Sequence, residues 1–92
     1  MPYISHEQRE HLDKDITNLV NTLVTISGDK GLDGCVNYVI TRIVSKVYNT
    51  PYSNYAQKAN GIKAFECAKL EYYRRVMAPY EDTKIETEGD VY

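Results

Sequence analysis

Tyr72, Tyr73, Arg74 and Arg75 set two phenol rings beside two guanidiniums on successive positions. Rings of this kind stack on nucleobases, and guanidiniums hold phosphate oxygens in a fork. Arg42 and Lys69 complete a candidate ligand-binding set. The same residues admit a plainer reading. Tyr73 can be core, Arg75 can pair with Glu71 one turn earlier, and Tyr72 and Arg74 can lie at an interface. The surrounding run from Leu70 to Asp82 adds a helix-stopping Pro79 and a further ring, Tyr80. Such a density of large side chains suits a surface that grips another molecule.

Catalytic chemistry finds little footing. His6 and His11 are five residues apart, which turns their rings about 140° from one another on a helix, whereas a metal-binding pair needs i, i+4 spacing. Cys35 and Cys67 match neither a zinc site nor a redox motif. Both fall within helical patterns, where a thiol behaves as a small apolar group, and they point to a reducing cytosol. A nucleophile–base pair would need one of them beside a histidine, and both histidines sit in one exposed first turn. The glycine-rich loop from Gly28 to Gly34 lacks the Gly-Lys-Ser/Thr ending of a phosphate loop. The expectation is a protein that is not an enzyme, with no cofactor and no metal.

Charge is partitioned along the chain although the formal net charge is only -2. Residues 1–33 carry six acids against three bases, residues 34–78 seven bases against two acids, and residues 79–92 five acids against one base. A basic centre between acidic ends can attract an anionic partner or be neutralised by the ends of its own or a neighbouring chain. A net acidic chain lacks the uncompensated charge that duplex nucleic acid binding requires. No run of eighteen apolar residues suggests a membrane span, and no secretory signal opens the chain.

Three helices must position these groups. Ser5 with Gln8 three residues on forms a capping box, and Leu12, Ile16, Leu19, Val20, Leu23, Val24 and Ile26 follow on one face until Gly28. The second helix, about 33–48, turns Leu32, Val36, Val39, Ile40, Ile43 and Val47 to one side, a broad arc expected of a central helix. Asn37 and Thr41, one turn apart on its polar side, are candidate interface contacts. Pro51 breaks the chain, and Ser53 or Asn54 caps a third helix over 53–78. Its main face gathers Tyr55, Ala59, Ile62, Phe65, Leu70, Tyr73, Val76 and Met77. Glu66 and Lys69 lie inside that stripe and are expected to pair, in a buried network with Arg42 and Lys46. Ala64 and Ala68 on the reverse side would let another helix approach closely, and Tyr80 joins them as a candidate interface residue. The domain is therefore 1–78, and residues 79–92 form an acidic tail. The expected fold class is all-α: a three-helix antiparallel arrangement with an extended C-terminal tail, homo-oligomeric because ninety-two residues bury little on their own.

Met1-Pro2-Tyr3-Ile4, the central Val36-Asn37-Tyr38-Val39-Ile40-Thr41-Arg42, Lys69 to Val76, Ala78 to Asp82 and Gly89-Asp90-Val91-Tyr92 resemble a family of small uncharacterised phage and prophage proteins. The resemblance implies a virus-derived protein in bacterial cytoplasm and carries over no functional residue. Two functions follow. The first is a phage accessory protein, of counter-defence type, that binds a small nucleotide such as a cyclic dinucleotide between subunits. The second is an inhibitor or adaptor that docks its third helix on a host or phage protein.

Overall fold

The computed structural model describes residues 3–28 and 31–92; Asp29 and Lys30, in the expected glycine-rich loop, and Met1 and Pro2 lie outside them. Among the described residues the fold is helical throughout, with no strand. Helix α1 spans His6–Ser27, α2 Leu32–Tyr48 and α3 Tyr55–Tyr72; a π-helical turn, Tyr73–Met77, then leads into α4, Ala78–Glu88.

Local chemistry sets the helix starts. Ser5 Oγ accepts the Gln8 backbone N–H at 3.1 Å while Gln8 Oε1 accepts the Ser5 N–H at 3.0 Å. Asn54 and Gln57 repeat the arrangement at the start of α3, each bond 2.9 Å. Two donors that a helix start leaves unpaired are satisfied reciprocally each time. Gly28 (φ 56°) ends α1 and Gly31 (φ 80°) precedes α2, both in backbone that side chains with a Cβ rarely adopt. Gly34, expected in the loop, lies inside the first turn of α2.

The acidic tail is helical rather than extended. Pro79 was expected to end the third helix, because a proline ring clashes with the carbonyl four residues back. The π turn widens the backbone at that point, and the Ala78 N–H bonds to the Tyr73 carbonyl five residues earlier. Tyr73 Oη donates to Glu81 Oε1 at 2.7 Å across the proline. The result is one helical rod over 55–88, about 51 Å long at 1.5 Å per residue, matching the longest dimension of the molecule, 52 Å.

Packing runs through α2. Helix α1 and helix α3 each pack on it, whereas α4 touches only the π turn it grows from. The closest approach is at Gly61, the one buried residue among those described: a Cβ there would stand 3.0 Å from Val44 Cγ1 and 3.6 Å from Tyr48. Helix α3 thus meets α2 with Gly61, Ala64 and Ala68. Of the large residues expected to form its core face, Phe65 is half-buried in the seam, whereas Tyr55, Ile62 and Leu70 remain exposed. Glu66 and Lys69 pair with each other at 3.4 Å in solvent rather than in a buried network, and no ion pair joins them to Arg42 or Lys46 among the described residues.

The chain is correspondingly open. It exposes 8214 Å², against about 5,500 Å² for a compact chain of its mass. Its radius of gyration is 16.9 Å, against about 12 Å expected for a compact domain of this length.

Gly61→Leu is expected to destabilise the fold by about 1–3 kcal/mol, since Val44 and Tyr48 leave no room for the side chain. Gly34→Ala, where an added Cβ meets nothing within 4 Å, is expected to be neutral or stabilising by up to about 1 kcal/mol through helix propensity. Urea unfolding followed by circular dichroism measures both; equal effects would contradict the packing described.

Candidate functional site

The largest concavity described lies along the seam between α2 and α3. Its floor is Val36, Ile40 and Val44, spaced one turn apart on α2, facing Ala64 and Ala68 one turn apart on α3. Phe65, Lys69, Tyr72, Tyr73 and Met77 form its wall, and the cleft measures about 890 Å³. A smaller hollow of about 170 Å³, sharing Val44 and Phe65, continues it toward Tyr48 and Lys58. Small residues facing β-branched ones leave a trough instead of a filled seam. The lining is overwhelmingly apolar, and Lys69 supplies its one charged group.

At the end of α3 beside this cleft, the arginines are already engaged. Arg74 Nη2 donates to Glu71 Oε1 at 2.9 Å and to Tyr3 Oη at 2.8 Å; Arg75 Nη1 stands 3.9 Å from the same carboxylate. Tyr3 Oη donates in turn to Glu71 Oε1 at 3.2 Å. This cluster joins the chain's beginning to the end of α3 across 71 positions of sequence. The Arg74 hydrogen bond holds the Glu71 carboxyl below the usual glutamate range, aided by Tyr3 and by the charges of Arg74 and Arg75. Glu71 raises Arg74 reciprocally, and the Glu81 contact pushes the Tyr73 phenol up.

The sequence-predicted residues therefore divide. Lys69, Tyr72 and Tyr73, together with Ala64 and Ala68, are brought to one cleft. Arg74 and Arg75 sit on the adjoining turn and face Glu71. Arg42 does not line the cleft, and Asn37 and Thr41 bond to each other, Thr41 Oγ1 donating to Asn37 Oδ1 at 3.2 Å on an exposed surface. Tyr80 lies on α4, with the Lys84 ammonium 5.7 Å from its ring centre. Sequence reasoning passed over Gly61 and Tyr3. A glycine inside a helical pattern was the available signal for the first; no local pattern marks the second.

The Tyr3–Glu71–Arg74 tie depends on an ionised carboxylate. Because the folded-state pKa of Glu71 is depressed, its contribution is complete above the ordinary glutamate value of about 4.3 and is lost as pH falls through the depressed value. A carbon-13 titration should place the Glu71 midpoint below that ordinary value, and Arg74→Ala should move it up. A midpoint at or above it in the unaltered chain would refute the tie.

No helix among the described residues is long and apolar enough to cross a membrane. No curated protein and no solved structure matches the chain. Residues 1–91 match a family model described as Domain of unknown function (DUF6899). That match spans nearly the whole sequence, so the chain belongs to this uncharacterised family.

Proposed function

We propose that the chain is a non-enzymatic interaction module that receives an apolar helix of a host or phage protein in the α2–α3 cleft. The observation that carries this reading is the cleft itself, a trough about 890 Å³ in volume with an apolar floor and a single cation on its wall. Helix-in-groove recognition requires such a trough, with affinity supplied by apolar anchors at i, i+3 and i+4. Ala64 and Ala68 set its depth, and the rings of Tyr72 and Tyr73 offer apolar faces with polar tips. The phage resemblance supports a setting in the cytoplasm of a bacterial host, where such a module would act as an accessory protein.

A second reading is favoured by one feature. Lys69, Tyr72 and Tyr73 line the same cleft, whose size also suits a small molecule, so a cyclic dinucleotide could stack there with Arg74 or Arg75 released from Glu71 to hold phosphate. The cost of breaking that arginine–carboxylate contact and the scarcity of polar lining place it behind a protein partner.

Replacing Tyr72 by a photo-crosslinking phenylalanine analogue should give a discrete adduct with a different protein in bacterial cells. Ala68→Arg, which fills the floor, should abolish the adduct while helicity persists. No adduct, or one that Ala68→Arg leaves intact, would remove the helix-docking reading. Calorimetry with cyclic dinucleotides decides the second reading: heat that Arg74→Ala eliminates would favour it, and absence of heat would end it.

A further inference from the structure

One flank of α3, bordering the face that meets α2, carries a repeat. Tyr55, Ala59, Ile62, Glu66, Lys69 and Tyr73 alternate in steps of four and three, the spacing that keeps one seam facing a partner helix. Most of this seam is open to solvent: Tyr55 is 87% and Ile62 70% exposed, and the side chains of Lys69 and Glu66 are 72% and 56% exposed. Beyond Tyr73 the π turn winds in an extra residue and ends the strict repeat.

The order of residues along this seam is self-complementary when reversed. An axis between Cys67 and Ala68 places Glu66 of one chain opposite Lys69 of the other, and places Ile62 opposite Tyr73. Ala59, the small position, then meets the turn holding Val76 and Met77. A parallel pairing would instead oppose Glu66 to Glu66 and Lys69 to Lys69. Charge thus selects one orientation, as polar seam residues do in paired helices.

Area points to the same occupant. The chain exposes about 2,700 Å² more than a compact chain of its mass would, and obligate dimers bury about 2,000–5,000 Å² in total. The seam over 55–73 runs about 28 Å at 1.5 Å per residue, within a rod that continues to Glu88.

We propose that a second copy of this chain covers the seam, with α3 helices antiparallel about a two-fold axis and Glu66 of each facing Lys69 of the other. The pairing uses a different side of α3 from the α2–α3 cleft floor and does not rest on the docking reading above. Lys69 and Tyr73 belong to both borders, so the cleft of each chain opens beside the two-fold seam.

Charge reversal tests this directly, because both side chains are exposed and, within one chain, pair with each other in solvent, away from the helix contact at Gly61. Native mass spectrometry and sedimentation of the full chain should show a dimer. Glu66→Lys and Lys69→Glu should each weaken it at least tenfold, with circular dichroism unchanged. An equimolar mixture of the two variants should recover a heterodimer, and the doubly reversed chain should recover a homodimer. A monomeric unaltered chain at tens of micromolar would overturn the proposal. So would a dimer that both single reversals leave intact, or folded single variants that fail to recover on mixing.

Discussion

Helix α2 is the one element on which both α1 and α3 pack, and the rest of the molecule follows from that constraint. A helix can present only so much of its circumference to two neighbours. With α1 against the beginning of α2 and α3 drawn close at Gly61, no third layer closes over the apolar sides left open. Leu12, Ile16, Ile43, Val47, Ile62 and Leu70 accordingly remain exposed. A fold of this kind buries roughly 47% of what the extended chain exposes, where a chain of its size is expected to bury about 60–65%. Burial is the main force opposing chain entropy, so a fold this open has little margin by itself.

The same constraint makes the cleft. Drawing α3 inward at a residue without a Cβ brings Ala64 and Ala68 toward Val36, Ile40 and Val44, but their small volumes cannot fill the space between the backbones. Phe65, Tyr72, Tyr73 and Met77 line its wall without closing it, and Ile62 and Leu70 lie exposed. Packing at one level and a trough at the next are therefore two consequences of one choice of helix face. The π turn adds a third: it aims Tyr73 at Glu81 and continues the rod past Pro79, so that α4 packs on neither α1 nor α2.

Much of this was legible in the residues, and what escaped has identifiable causes. Ser5–Gln8 and Asn54–Gln57 are local devices, readable because both partners lie within one turn. The three long helices followed from periodicity, whereas α4 and the π turn before it did not. The face by which α3 packs did not, since an apolar-stripe reading favours bulky residues while close helix approach favours small ones. Pro79 misled because a proline forbids the ordinary helical ladder, whereas a π turn has no need of the bond it removes. Among candidate site residues, Lys69, Tyr72 and Tyr73 line one cleft. Arg74 and Arg75 admitted two readings, a fork for phosphate or a pairing of Arg75 with Glu71; Glu71 engages both, and Tyr3 arrives from the far end of the chain. Only the first of those contacts has a signature in sequence.

The central claim is that the folded state of this chain is completed by association. Thermal unfolding across a hundredfold dilution measures it most directly, because a fold coupled to assembly has a concentration-dependent midpoint. The account expects Tm to fall steadily with dilution and helicity to decline with it. A midpoint that stays fixed over that range, with the mass of a single chain throughout, would contradict it.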